Sequence, residues 1–203
     1  MKWFEFDGRL AAAGFKVFTD LEFQAVTGAG PVSAKFLLIR YTKKGLLCRL
    51  KRGLYAAKGR MPSPWAIANQ LYKPSYISME SALSYHRLIP ETVYALTSVT
   101  TKSTREFEAD GRAYVYHSIK RCAFSGYRGY ELGGENVLMA EKEKALADYL
   151  YFVFLRKKSL NERLAMDRID KTKLVEHLRA FDNPEFARWF KHDLQVPDRR
   201  IAR

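Results

Sequence analysis

The chain has 203 residues, of which 47% are hydrophobic and 28% charged. This composition supplies enough apolar side chains for a folded core and argues against an extended disordered chain. The 35 Lys and Arg outnumber the 22 Asp and Glu, so the net charge is +13. Such an excess predicts attraction to a polyanion, either nucleic acid or an anionic membrane surface. The longest strongly apolar run, residues 149–155, is far too short to span a membrane. No apolar segment typical of a signal peptide follows Met1, so we expect a soluble, cytoplasmic protein.

The positive charge is concentrated near the N-terminus. Residues 1–60 carry twelve Lys or Arg and four Asp or Glu, a net charge of +8, whereas residues 61–136 carry +1 and residues 137–203 carry +4. No acidic residue lies between Glu22 and Glu80, although ten basic residues do. A solvated surface normally mixes both signs, so this stretch favours a nucleic-acid-binding surface over simple solvation.

The predicted elements of the N-terminal unit follow one another closely. They are a helix over residues 3–13, an extended segment over 16–18, helices over 20–27 and 33–44, and two strands at 46–50 and 54–57 joined by 51–53. Thr19 and Ser33 are the predicted N-caps of the second and third helices. Gly45 is predicted to end the third helix. This order is typical of a winged helix-turn-helix.

The third helix has two faces of different character. Ala34, Leu37, Leu38 and Tyr41 share helical spacing and are expected to pack inward. The opposite face carries Lys35, Phe36, Ile39, Arg40 and Lys43. Cations reach phosphates and guanine edges in a DNA major groove, and apolar side chains can contact thymine methyl groups. An ordinary amphipathic helix with a lysine-rich exterior is the alternative.

We expect the basic hairpin and the ends of the third helix to hold the DNA backbone. A basic hairpin tip beside a recognition helix contacts flanking phosphates or the minor groove. The predicted groove contacts are Lys35, Arg40 and Lys43, assisted by Phe36 and Ile39. The predicted phosphate contacts are Ser33, Lys44, Arg49, Lys51 and Arg52. Double-stranded DNA is favoured over RNA because no aromatic single-strand platform motif is present.

A connector rich in proline and glycine, residues 58–64, separates a domain over residues 1–60 from one over 61–203. The predicted elements of the second domain are a helix over 78–85, strands over 93–101 and 113–119, and helices over 139–155, 171–181 and 184–194. Asp110 and Gly111 form a hairpin turn signal. The predicted fold is therefore α+β, with a winged helix-turn-helix followed by a mixed α/β domain that ends in helices.

Two segments of the chain resemble one known family. Residues 17–55, and more specifically the run Tyr-Ile-Ser-Met-Glu-Ser-Ala-Leu-Ser-Tyr-His-Arg-Leu-Ile-Pro-Glu at 76–91, are similar to AbiEi-type antitoxins of bacterial abortive-infection systems. Segments 97–102 and 140–148 follow in the same order as in that family. Beyond about Asn161 nothing specific is similar.

The resemblance implies two activities. The N-terminal domain would bind inverted repeats upstream of its own operon and repress transcription, and the second domain would oppose a nucleotidyltransferase toxin without a stable complex. The candidate residues in the antitoxin motifs are Ser78, Glu80, Ser81, Tyr85, His86, Thr100, Thr101 and Lys102. Structural alternatives are a hydrogen-bonded His86 that ends a helix and solvated strand-end residues at 100–102. An orphan regulator without a toxin would carry the same pattern.

Catalytic and metal-binding motifs are absent from the sequence. Phosphate-binding loops, nucleophile elbows and zinc-hydrolase motifs do not occur. The histidines are scattered, and Cys48 and Cys122 lie in no metal spacing, which suits a reducing compartment. We therefore expect a binding protein with no metal and no cofactor. The alternative is a small nucleic-acid-processing enzyme that docks through its winged helix.

Overall fold

The computed structural model describes residues 3–193. Within them the chain is mixed α/β, with two sheets. The helices are α1 (Trp3–Ala12), α2 (Asp20–Thr27), α3 (Pro31–Lys43), α4 (Pro64–Leu71), α5 (Met79–Tyr85), α6 (Lys142–Phe154), α7 (Lys171–Arg179) and α8 (Pro184–Asp193). The strands are β1 (Val17–Thr19), β2 (Leu47–Lys51), β3 (Leu54–Ala57), β4 (Ser75–Ile77), β5 (Leu96–Thr100), β6 (Arg105–Ala109), β7 (Arg112–Ser118), β8 (Tyr127–Leu132) and β9 (Glu135–Ala140).

Local sequence signals set the ends of α2. Thr19 and Glu22 form a reciprocal capping box, in which the Thr19 side chain accepts from the Glu22 amide and the Glu22 carboxylate accepts from the Thr19 amide. Gly28 closes the helix in the left-handed region with φ 67°, a conformation that glycine adopts without steric cost. The predicted second helix is thus confirmed at both ends.

The first sheet is antiparallel, in the order β1-β3-β2, and both of its faces are covered. Tyr55 and Ala57 of β3 pack with α1, α2 and α3 in one apolar cluster. Leu54 and Ala56 face the other way and join the core of the C-terminal part. Side chains alternate across a strand, so a strand that is buried throughout must contact two layers. The predicted basic hairpin therefore packs against both the N-terminal helices and the C-terminal part of the chain.

The second sheet has six strands in the order β6-β7-β5-β4-β9-β8, and it is mixed. β5 runs parallel to β7, and β4 runs parallel to β9 with the single register pair Ile77–Met139. Asn69 of α4 compensates for this short pairing, because its side-chain amide both donates to the Leu138 carbonyl and accepts from the Leu138 amide. The helix α4 thereby fixes the middle of the sheet.

Several predicted elements of the second domain need correction. Asp110 and Gly111 do form a turn, with φ 48° and 72°, but it joins β6 to β7. The strands β6 and β4, the helix α4 and the hairpin β8–β9 are present in the structure and were not predicted. The predicted helix over 139–155 begins later, at Lys142, because residues 139 and 140 extend β9. The two C-terminal helices are confirmed within the described residues, and Leu194 lies outside them.

Candidate nucleic-acid interface

The helix α3 begins two residues before the predicted cap. Gly30 is the N-cap and Pro31 occupies the first turn, so Ser33 does not cap the helix. Proline suits this position because its missing N–H would have had no partner within the helix. Gly30 provides no side-chain cap, so the amides of Val32 and Ser33 point out of the helix end without one. Ser33 remains exposed beside them.

The inward face of α3 follows the predicted spacing. Ala34, Leu38 and Tyr41 are at most 3% exposed and pack in the N-terminal cluster. Tyr41 lies among aromatic rings and contacts Phe6, with ring centroids 5.7 Å apart. Leu37 is only half-buried, because it lies at the edge of the buried stripe. Three of the four predicted positions therefore anchor the helix.

The outward face of α3 combines large apolar and basic side chains. Phe36 is 69% and Ile39 44% exposed. The neighbouring cations Lys35, Arg40, Lys43 and Lys44 are exposed as well. No carboxylate of the described residues lies within ion-pair distance of these four cations. An exposed apolar pair on a helix that carries only positive charge is the arrangement that a major groove accommodates.

The hairpin β2–β3 places its arginines beside this face. Arg49 and Arg52 are exposed and line one groove with Lys35 and Ile39 of α3. Asp20 lines the groove as well, but the cations outnumber it. Gly53 allows the tight turn through φ 74°. The structure thus brings two predicted contacts of the helix, Lys35 and Ile39, beside two of the hairpin, Arg49 and Arg52.

Lys51 points elsewhere. Its ammonium donates to the Leu71 carbonyl at 2.5 Å and lies 5.7 Å from the centroid of the Phe107 ring. Burial lowers its pKa, and the nearby cations Lys102 and Arg105 lower it further. Lys51 therefore faces the six-stranded sheet, whereas Arg52 faces solvent beside α3.

The antitoxin-like motifs meet in a buried polar network. Ser78 is fully buried and donates to Asp148 Oδ2 at 2.7 Å, and Tyr76 donates to the same oxygen at 3.1 Å. Lys144 donates to Asp148 Oδ1 at 2.6 Å, and both charged side chains are completely buried. The Lys144 ammonium also lies 4.7 Å from the centroid of the Phe181 ring. Burial and the adjacent carboxylate raise the pKa of Tyr76, so its hydroxyl stays protonated as a donor.

The pair Lys144–Asp148 was not predicted, although the sequence contains a signal for it. Two opposite charges at i and i+4 sit in the otherwise apolar stretch of α6. Charges at buried helix positions require a partner, and the spacing allows one. Asp148 also accepts from Tyr76 and Ser78, so it connects segment 140–148 with segment 76–91. These two motifs therefore pack together at the centre of the second domain.

The remaining serine and glutamate candidates also make internal contacts. Ser81 is buried and accepts from the Thr97 amide at 2.8 Å, while the Thr97 hydroxyl accepts from the Ser81 amide at 3.1 Å. Glu80 pairs with Lys158 near the end of α6. These contacts join α5 to β5 and to the segment after α6.

His86 follows α5 as its C-cap, and its Nε2 lies 2.9 Å from the Ala140 carbonyl oxygen. Because a carbonyl only accepts, Nε2 carries the hydrogen. Burial lowers the pKa of His86 below its usual 6.5, so the neutral ring is favoured. Its neighbour Tyr85 is 39% exposed and packs edge-on against Trp65 and Tyr130.

The strand-end candidates divide into two kinds. Thr100 is buried and donates to the Pro74 carbonyl at 2.7 Å, and its hydroxyl accepts from the Lys102 amide at 3.2 Å. Thr101 is half-buried. Lys102 is exposed, and its ammonium lies 5.4 Å from the centroid of the Tyr72 ring. Of these three candidates, Lys102 is therefore the one that projects a positive charge from the strand end.

Comparison with protein-family models gives no match for this chain, and no curated protein is significantly similar to it in sequence. Residues 3–193 contain no group of three or more His, Cys, Asp or Glu arranged to hold a metal ion. Over the same residues, every helix is too short or too polar to cross a bilayer.

Proposed function

We propose that this chain is a DNA-binding transcriptional regulator whose N-terminal part is a winged helix-turn-helix. The observation that carries the proposal is the exposed face of α3, where Phe36 and Ile39 lie beside Arg49 and Arg52, among cations that form no ion pair with the described residues. Burying two large apolar side chains favours a partner, and the surrounding charge selects a polyanion.

The order of elements supports the same assignment. A helix, a strand, two helices and a hairpin follow one another, and β1 pairs with β3 to complete the small sheet. In a winged helix-turn-helix, the helix before the hairpin enters the major groove and the hairpin contacts the flanking backbone. The uncapped amides at the start of α3 suit a phosphate. In this proposal Lys35, Arg40 and Lys43 contact the groove.

The regulator is further proposed to repress its own operon at inverted repeats and to act as an antitoxin against a nucleotidyltransferase toxin without a stable complex. This part rests on the resemblance to AbiEi-type antitoxins. The buried positions of Ser78, Ser81 and Asp148 make the shared motifs supports of the fold. Any surface that opposes a toxin would then be formed by exposed side chains around them, such as Tyr85.

Two experiments test this function separately. Selection of duplexes from a random library by the full chain should enrich one sequence, and the variant Phe36→Ala/Ile39→Ala should lose that enrichment while retaining weak duplex binding. Absence of duplex binding at low salt would contradict the proposal that the chain is a DNA-binding regulator.

Co-expression of the chain with a neighbouring nucleotidyltransferase toxin should restore the growth of cells that the toxin inhibits. If growth is not restored while DNA binding is intact, the chain would be an orphan regulator.

A further inference from the structure

A cleft of about 710 Å³ lies between the β2–β3 turn and the edge of the six-stranded sheet. Lys51 and Arg52 line it from the hairpin, Arg105 lines it from β6, and Lys73 and Lys102 line it from the loops before β4 and after β5. Lys73 and Arg105 belong neither to the proposed DNA-binding surface nor to the antitoxin-like motifs. The volume of the cleft lies within the range of small-molecule sites.

The cations of the cleft converge on two aromatic rings. Tyr72 and Phe107 lie with ring centroids 5.7 Å apart. Arg105 lies over both rings, at 6.0 and 5.5 Å, with Lys102 over Tyr72 and Lys51 over Phe107. The rings hold three cations close together by cation–π contacts. The same cations occupy space over the rings, which disfavours a stacked base there.

The cleft is not neutralised from within. Among residues 3–193, no carboxylate lies within ion-pair distance of its five cations. Glu22 also lines the cleft and accepts hydrogen bonds from Thr19, so it contributes one negative charge against the five positive ones. The lowered pKa of Lys51 has burial as its largest cause, with Lys102, Arg105 and Lys73 acting in the same direction. Like charges gathered in a partly dehydrated cleft repel one another, and an anion relieves that repulsion.

We propose that this cleft binds a small molecule that carries two or more adjacent phosphate groups. A linear oligophosphate suits the site because several point charges of lysine and a planar guanidinium from Arg105 line one concave surface. A DNA duplex is the less favoured occupant, because it presents its phosphates one by one along a convex surface, whereas the cations of the cleft line one concave surface.

The direct test is calorimetric titration of the full chain with inorganic tripolyphosphate at low salt. We expect one site per chain and at least a tenfold loss of affinity in Lys102→Ala/Arg105→Ala. Both side chains are exposed, so this variant should keep the melting temperature. The matched control Lys171→Ala/Lys173→Ala removes two exposed cations of α7 and should keep the affinity.

Three outcomes would overturn the proposal. They are no saturable binding, equal loss of affinity in both double variants, and a cleft variant that weakens duplex binding while tripolyphosphate fails to bind. The last result would assign the cleft to the DNA-binding surface. The tripolyphosphate titrations do not depend on whether α3 reads DNA, so the proposed function can fail or survive independently of them.

A regulatory consequence rests on the proposed function. Arg52 lines both this cleft and the groove beside α3, so a bound oligophosphate would compete with DNA for the same guanidinium. Saturating tripolyphosphate should therefore weaken duplex binding in the wild-type chain more than in Lys102→Ala/Arg105→Ala. An equal effect on both chains, as expected from ionic strength alone, would contradict the coupling.

Discussion

At the scale of single residues, the buried pair Lys144–Asp148 dominates the C-terminal part. Asp148 accepts from Lys144, Tyr76 and Ser78, and both charges are fully buried. A buried pair of this kind adds little net stability over apolar residues, but removal of one partner leaves an uncompensated charge. The network therefore makes the relative positions of β4, α5 and α6 sensitive to a single substitution.

Asp148→Asn should lower the free energy of unfolding by about 3–5 kcal/mol, because it strands the Lys144 ammonium in the core. Urea denaturation of the full chain measures the change. Asp7→Asn removes the partner of Arg60 in a half-exposed pair and should cost about 1 kcal/mol or less. Similar losses for the two variants would contradict the assigned role of Asp148.

His86 should make stability depend on pH. Its pKa in the fold is lowered from 6.5 by burial, so the unfolded chain binds its proton at higher pH than the folded chain does. The free energy of unfolding should therefore fall as pH decreases from about 7 to 5. His86→Gln should flatten that dependence, as should other substitutions that remove the shifted histidines His117 and His177. A profile for His86→Gln that is as steep as that of the wild type would contradict this account.

At the scale of elements, the hairpin gives different surroundings to two basic residues that are adjacent in the sequence, Lys51 and Arg52. Arg52→Ala should lower affinity for all duplexes by a similar factor, because a phosphate contact carries no sequence information. The slope of log affinity against log salt should flatten by about 0.9 for that contact. Lys51→Ala should change the slope less, because its ammonium bonds to the Leu71 carbonyl. A larger change for Lys51→Ala would contradict the assignment.

Periodicity and capping predicted the N-terminal elements well, because those signals act within one or two turns of chain. Thr19 fixes a helix start and Gly28 an end by local hydrogen bonding and backbone sterics. The prediction that Ser33 caps the third helix was wrong, because a serine at the third position of a helix and a serine N-cap give the same local sequence pattern. The helix instead begins at Pro31.

The second sheet was harder to predict because its order depends on distant pairings. The exposed strand β6 lacks a run of buried apolar residues, and β9 pairs with β4 through one register pair. The cleft escaped prediction for the same reason. Lys51 and Arg105 are far apart in sequence, and only the packing of the hairpin against β6 brings them together.

At the scale of the whole molecule, the composition changes near residue 60, but the residues on the two sides of that boundary share one apolar core. Leu50, Leu54 and Ala56 of the N-terminal part pack in the same cluster as α4 and the six-stranded sheet. A fragment over residues 1–60 would expose these side chains. We expect such a fragment to be much less stable than the same residues in the full chain.

Calorimetry should accordingly show one unfolding transition for the full chain, and Leu50→Ala should lower its midpoint. Loss of a buried leucine side chain costs about 2–5 kcal/mol, and here it weakens the contact between the two parts. Two separate transitions, with only one of them shifted by Leu50→Ala, would show that the parts fold independently.

The central claim is that α3 and the neighbouring hairpin form the DNA-binding surface. The most direct measurement is the salt dependence of duplex affinity, obtained by fluorescence anisotropy for the full chain, for Lys44→Ala/Arg49→Ala and for the control Lys171→Ala/Lys173→Ala. The variant Lys44→Ala/Arg49→Ala removes two proposed phosphate contacts, one from the end of α3 and one from the hairpin. It should bind more weakly, with a slope of log affinity against log salt flattened by about 0.9 for each lost contact, and the α7 variant should match the wild type. Equal slopes and affinities in all three proteins would contradict the claim.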